Sequence, residues 1–245
     1  MAAPFLFMKL TPYTKLIELS KSYNLGFELQ FVQGDALMMS THHHPWSMRE
    51  SEADIVHDLI VENNLRYGYK IATAFGISTC VIGESIRKTG GKLVSIDAYV
   101  EEQYNWSSSY NINTRFIGTE DADGYKLAKN LLTSLQLDDV VKLEIGWSPD
   151  DNSKFISKHF TDKLDFVLID GGHSMDQIDA DVKCIIEFLK EDSIIIFHDY
   201  PCMGPETVKF IEEKGFTQAQ IYKTGFNLAV HGRGKTWNFN QQKWQ

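Results

Sequence analysis

From residue 51 to residue 232, short apolar runs alternate with stretches of helical periodicity, and no other feature limits the possible folds so sharply. The strand-like runs are Tyr69–Ala74, Lys92–Asp97, Val140–Ile145, Phe166–Asp170 and Ser193–Phe197, followed by two more near 217–223 and 227–232. Between them lie helical segments. The first opens at Ser51, a helix N-cap by residue type, with Glu52 and Asp54 in the first turn where the dipole favours negative charge. A second covers 77–88 and stops at Gly90-Gly91; a third opens at Thr119-Glu120-Asp121 and carries Ala128, Leu131, Leu132 and Leu135 on one face. The clearest amphipathic helix spans 176–190, with Ile178, Val182, Ile185, Ile186 and Leu189 in its stripe. A last one starts at Pro205, a favoured N1 residue, and ends at Gly215. Strand–helix alternation of this kind implies right-handed crossovers. The expected fold class is therefore α/β: a doubly wound, mainly parallel seven-stranded sheet with helices on both faces. The last two strands, joined across Thr224-Gly225, form an antiparallel C-terminal hairpin.

The flanks differ. Residues 1–50 are rich in aromatics and Met and contain His42-His43-His44-Pro45-Trp46; they read as an N-terminal extension packed on the domain, or as a lid over a pocket. Residues 51–232 are the domain itself, and 233–245 a C-terminal tail whose aromatics pack or meet a second copy in a homodimer. With 24 Lys+Arg against 33 Asp+Glu the formal charge is −9, which repels polyanions and disfavours nucleic acid as a partner. Cys80, Cys184 and Cys202 are scattered, form no CxxC, and read as thiols of a reducing compartment. No apolar run approaches a membrane span, and the start MAAPFLFMKL carries no basic leader, so a cytoplasmic protein is expected.

In doubly wound sheets the ligand lies beyond the carboxyl ends of the strands, where strand order reverses. The residues at those ends are therefore the candidates. Ala72-Thr73-Ala74-Phe75-Gly76-Ile77-Ser78 is a small-residue loop that lets a ligand approach the backbone, next to a helix N-terminus with free N–H groups; equally, small residues serve close helix–sheet packing. Asp97 ends the second strand, about 20 residues on, where an acid accepts hydrogen bonds from ribose hydroxyls. Two further strand ends turn abruptly polar: Asp170-Gly171-Gly172-His173-Ser174 and His198-Asp199-Tyr200. Each couples an imidazole to a carboxylate. The first can move a proton near neutral pH, and carboxylates from neighbouring strands can clamp a divalent cation. Helix capping by Asp170 or Ser174 beside a structural His is the plainer alternative.

These residues carry a resemblance. The chain is similar over roughly residues 50–232 to class I S-adenosylmethionine (SAM)-dependent methyltransferases, within them to a small-molecule O-methyltransferase-like group with a strand–IDG–x–HS segment and a later HD strand end. Asp165–Ser174 and Ile196–Tyr200 are its most specific parts. The resemblance implies a Rossmann-like methyltransferase fold and SAM as cofactor. Lys70–Ser78 matches the loop under the methionine end of the cofactor, giving Ala72, Thr73, Ala74, Gly76 and Ser78 as binding residues. Asp97 matches the ribose acid, Gly146-Trp147-Ser148 flanks the adenine, and Asp170 lies beside the reactive end. Catechol-type relatives hold a metal at the positions of Asp170 and Asp199 and have a Lys where this chain has His173. Some sugar O-methyltransferases and cephalosporin hydroxylase-like proteins carry an acid–acid pair where this chain has His198-Asp199, so Asp170, His198 and Asp199 are candidate ligands for Mg or Mn. The chain departs from the family in having Lys70, Ala72 and Ala74 where Glu-x-Gly-x-Gly is usual, and Tyr200 in place of Asn.

The expected reaction is methyl transfer to a hydroxyl of a small-molecule or sugar acceptor, with His173 as base and Asp170 and Asp199 orienting it or holding a cation. A metal-dependent hydroxylase-like enzyme on the same fold and a non-catalytic cofactor-binding relative are the alternatives.

Overall fold

The computed structural model describes residues 29–32, 36–39, 42–45, 48, 50–99, 123–172, 174–198, 203–224 and 227–239. Within residues 1–50, β1 (Leu29–Val32), β2 (Ala36–Met39) and β3 (His42–Pro45) form a three-stranded antiparallel sheet, with the His run in β3. Trp46 lies outside the described residues.

The main sheet has seven strands. In chain order the elements are α1 (Glu50–Glu62), β4 (Tyr67–Ile71), α2 (Ile77–Thr89), β5 (Lys92–Asp97), α3 (Asp123–Ser134), β6 (Val141–Ile145), α4 (Asn152–His159), β7 (Leu164–Ile169), α5 (Met175–Ile185), β8 (Leu189–His198), α6 (Pro205–Glu213), β9 (Gln218–Tyr222) and β10 (Leu228–Gly232). The strands lie side by side as β6-β5-β4-β7-β8-β10-β9, parallel from β6 to β8, with β10 antiparallel to both β8 and β9. The expected doubly wound, mainly parallel sheet with its C-terminal hairpin is what the chain adopts. From β4 the chain winds outward through β5 and β6, then returns to start again with β7 on the other side of β4. The switch point therefore lies between the carboxyl ends of β4 and β7.

The central strands are apolar on both faces because helices cover both. In β8, Ile194 and Ile196 join Ile55, Leu59, Ile77 and Leu131 in one core, while Ile195 and Phe197 join Phe155, Ile178, Val182 and Ile211 in the other. Helices α1 to α3 thus close one face and α4 to α6 the other. Each such side chain removed from water contributes about 1.5–3 kcal/mol. Gly90, at φ 70°, caps α2 in the left-handed conformation, and Pro205 occupies the first turn of α6. The C-terminal aromatics pack: Trp237 is buried against Gly232, and its Nε1–H donates to the Arg233 carbonyl at 3.0 Å.

Three local expectations change. Ser51 lies inside α1, which starts at Glu50, so it is not the cap. The helix expected over 176–190 ends at Ile185, passes through a 3₁₀ turn at Ile186–Phe188, and Leu189 already belongs to β8. The polar Lys190-Glu191-Asp192 start of that strand concealed it. Helix α4 was not foreseen; it is short, and only Phe155 and Ile156 give it a buried apolar side. Residues 119–122, the expected start of the third helix, lie outside the described residues. Among the described residues no helix is long and apolar enough to cross a membrane.

Candidate active site

Three loops meet at the carboxyl edge of the sheet. The first leaves β4. Ala72 (φ 71°) and Ala74 (φ 48°) both take the left-handed conformation, which costs an L-residue about 1–2 kcal/mol. Asp97 at the end of β5 holds them there. Its Oδ2 accepts from the backbone N–H of Thr73 at 2.7 Å and of Ala74 at 2.8 Å, and its Oδ1 accepts from the N–H of Tyr99 at 2.7 Å. The Thr73 side chain turns inward, Oγ1 lying 2.7 Å from Ser95 Oγ, and Ser78 is buried. Of the expected cofactor residues in this loop, Ala72 and Ala74 are partly exposed, while Thr73 is buried, its N–H taken by Asp97 and its carbonyl accepting from the Gly76 N–H. Gly76 (φ 87°) precedes α2, and a Cβ there would lie 2.8 Å from the Ala128 Cβ on α3. Glycine is required there by helix packing as well as by the turn.

The second loop follows β6. It is tied to Asp97 through Gly146 N–H, which donates to the Asp97 carbonyl at 3.0 Å. Trp147, two residues after β6, stands half-exposed, 50% accessible. Ser148 is differently engaged. Its hydroxyl donates to Asp181 Oδ1 on α5 and accepts from Asn152 Nδ2 at 2.8 Å; Asn152 Oδ1 in turn accepts from the Tyr69 hydroxyl at 3.0 Å. Gln177 Nε2 adds bonds to the Ser148 carbonyl (2.8 Å) and to Asp181 Oδ1 (3.1 Å). Burial raises the Asp181 carboxyl pKa against the lowering effect of Ser148 and Gln177. Its Oδ2 has no hydrogen-bond partner among the described residues.

The third group joins β4, β7, β8 and α1. Asp170 follows β7. Its Oδ2 lies 3.5 Å from Lys70 Nζ, and its Oδ1 lies 2.8 Å from His198 Nδ1. The other ring nitrogen of His198 lies 3.2 Å from Glu52 Oε2, and Glu52 Oε1 accepts from the Thr224 hydroxyl. Lys70 is fully buried and also donates to the Ala72 carbonyl. Burial lowers its pKa, while the charges of Asp170 and Asp97 act the other way. The result is an alternating row of charged and polar groups, Lys70–Asp170–His198–Glu52–Thr224, running from the centre of the sheet to the hairpin.

Asp170 and His198, expected from sequence to share a site, are in contact. His173 and Asp199 lie outside the described residues, as does Tyr200. Among the described residues no group of three His, Cys, Asp or Glu side chains is arranged to hold a metal ion. Sequence reasoning missed Glu52 and Asp181 and counted Lys70 only as a departure from pattern. A signal existed for Glu52: with Ile55, Val56 and Leu59 it falls at i, i+3, i+4 and i+7, on the buried stripe of α1. Asp181 likewise stands among Ile178, Val182 and Ile185, an acid on an apolar face.

Against known proteins, residues 70–200 match a family model described as a methyltransferase domain. Among curated proteins none matches the chain in sequence. Solved structures share its fold. The O-methyltransferase from Bacillus cereus in complex with SAH aligns over 91% of each chain, with a TM-score of 0.61 and 13% identity. The O-methyltransferase TomG from Streptomyces achromogenes, involved in tomaymycin synthesis and solved with SAM, covers 91% of this chain and 90% of its own at TM-score 0.58 and 14% identity. Cofactor-bound Rv0187 from MTB covers 94% of this chain and 96% of its own at TM-score 0.59 and 13% identity.

Proposed function

The chain belongs to the methyltransferase-domain family, and on that premise we propose that it transfers a methyl group from SAM to a hydroxyl of a small-molecule or sugar acceptor. One observation carries the reading: Asp97 and Asp170 stand on either side of the loop after β4, at the point where the sheet reverses its winding.

The residues present suit such a cofactor. An ionised carboxylate accepts about four hydrogen bonds, so Asp97, with three backbone donors, retains capacity for a ribose hydroxyl. Trp147 offers a flat face to the adenine. Ser148 contributes by fixing that loop to α5 rather than through a free hydroxyl. Ala72, Ala74 and Gly76 keep side-chain bulk off the loop, and the N-terminus of α2 favours a carboxylate. Lys70, beneath the same loop, places positive charge where the family usually has an acid, which favours the carboxylate of the methionine end over its ammonium.

Bound SAM supplies an electrophilic methyl group on a sulfonium. The protein aligns the acceptor oxygen with that carbon, which is worth up to about 7–11 kcal/mol in well-oriented systems. As the O–C bond forms and the S–C bond breaks, the hydroxyl proton must leave, and His173, three residues after Asp170, is the base in this reading. A net charge of −9 suits a small acceptor rather than a nucleic acid, and a cytoplasmic homodimer belongs to the same reading.

The test is calorimetric titration of the full chain with SAM and SAH, repeated with Asp97→Ala and His173→Ala. The reading expects binding that weakens at least about tenfold in Asp97→Ala and survives in His173→Ala, which loses turnover. A folded chain indifferent to millimolar SAM, or an Asp97→Ala variant of unchanged affinity, contradicts it.

A further inference from the structure

Asp170 occupies a position that, by resemblance to catechol-type relatives, would help hold a divalent cation, and His198 stands against it. Their surroundings do not suit one. Both Asp170 oxygens already face nitrogen partners, Lys70 Nζ at 3.5 Å and His198 Nδ1 at 2.8 Å. Both His198 nitrogens face carboxylates, Asp170 on one side and Glu52 at 3.2 Å on the other. Both ring nitrogens are thus directed at carboxylate oxygens of neighbouring segments. Lys70 cannot move aside: it is fully buried in a central strand, between β5 and β7, and its ammonium is also anchored on the Ala72 carbonyl.

We propose that Lys70 takes the place of a divalent cation at Asp170, so that this crevice works without Mg or Mn. A cation bound to Asp170 would stand within a few ångströms of the Lys70 ammonium, in surroundings too dry to screen the repulsion. The row is already occupied: Lys70 pairs with Asp170, His198 bridges Asp170 and Glu52, and Thr224 donates to the other Glu52 oxygen. Asp199, the other candidate ligand, lies outside the described residues. Lys70 is a positioning residue here. It fixes the Asp170 carboxylate, and with no metal to acidify the acceptor, proton removal falls to a side chain. This deepens the methyl-transfer reading of the same crevice, but metal binding can be measured without cofactor or acceptor.

The experiment is a Mn²⁺ titration of the chelator-stripped full chain, read by the paramagnetic resonance signal of free Mn²⁺, for the wild type, Lys70→Gln and Asp170→Asn. The wild type should leave the free Mn²⁺ signal intact, with or without SAH. Lys70→Gln, with Asp170 released, should bind Mn²⁺ at least about tenfold more tightly than the wild type. Stoichiometric Mn²⁺ uptake by the wild type that Asp170→Asn abolishes would overturn the proposal. So would a folded Lys70→Gln that takes up no more Mn²⁺ than the wild type. Should Lys70→Gln fail to fold, Lys70→Met, uncharged and of similar reach, replaces it, and the wild-type titration decides on its own. Absent SAH binding with Mn²⁺ still excluded would break the methyl-transfer reading and leave this one standing.

Discussion

Asp97 and Asp170 stand at the ends of the two strands that flank β4, yet they are held in opposite ways. Three backbone N–H groups hold Asp97: those of Thr73 and Ala74 from the loop after β4, and that of Tyr99 two residues on. Two long-range side chains hold Asp170: Lys70 from the strand beside it and His198 from β8, the latter tied on to Glu52 in α1. The first arrangement uses backbone donors and shapes the loop after β4. The second depends on the assembled fold and balances charge. A carboxylate held by amides keeps capacity for a ligand's hydroxyls. One set between an ammonium and an imidazole is committed to its neighbours.

The largest expected effect tests that contrast directly. Asp170→Ala leaves a buried ammonium uncompensated and should cost about 3–5 kcal/mol in denaturant unfolding. A loss below about 1 kcal/mol would mean that Lys70 and Asp170 are not coupled. The next effect sets the pH window for the comparison. Burial lowers the His231 pKa from 6.5 to about 4, so the unfolded chain takes up a proton that the folded one refuses. Its contribution is fully present above about pH 6.5 and is lost as pH falls toward 4, amounting to up to about 3 kcal/mol. Urea midpoints across pH 4–7 should slope accordingly, and His231→Gln should flatten that slope. A wild-type curve already flat from pH 7 to 4 would contradict the shift.

Asp97→Asn comes third. It keeps the shape but loses charge-assisted acceptance from the backbone, which should cost about 2 kcal/mol. If it costs as much as Asp170→Ala, the distinction between the two carboxylates fails. The smallest effect concerns the loop that Asp97 holds. Ala72→Gly relieves a left-handed Cβ and should raise stability by about 0.5–1 kcal/mol in thermal unfolding. A destabilised variant would show that the strain is not where φ 71° puts it.

The sheet was legible because its central strands are buried on both faces and read as apolar runs. β8 shows both sides of that rule: Ile194–Phe197 announced the strand, while Lys190, Glu191 and Asp192 hid its first turn of chain. The carboxyl edge was legible at Asp97, Asp170 and His198 because polar residues there interrupt apolar runs. Partners drawn from distant segments were not. Glu52 lies 146 residues from His198, and its place on the buried stripe of α1 marks it as buried without saying which group it faces. Lys70 was visible as an oddity, but its pairing with Asp170 depends on β4 and β7 lying side by side, which only the topology supplies. The side-chain engagement of Ser148 was hidden for the same reason: Asp181, which accepts its hydroxyl, lies on a helix from the other half of the fold.

The most direct test of the central claim is calorimetric titration of SAH into the full-length chain, wild type beside Asp97→Ala. The account predicts one SAH per chain, and an affinity at least about tenfold lower once the carboxylate is gone from a variant that still unfolds cooperatively. A cooperatively folded wild type that evolves no binding heat at millimolar SAH would contradict it.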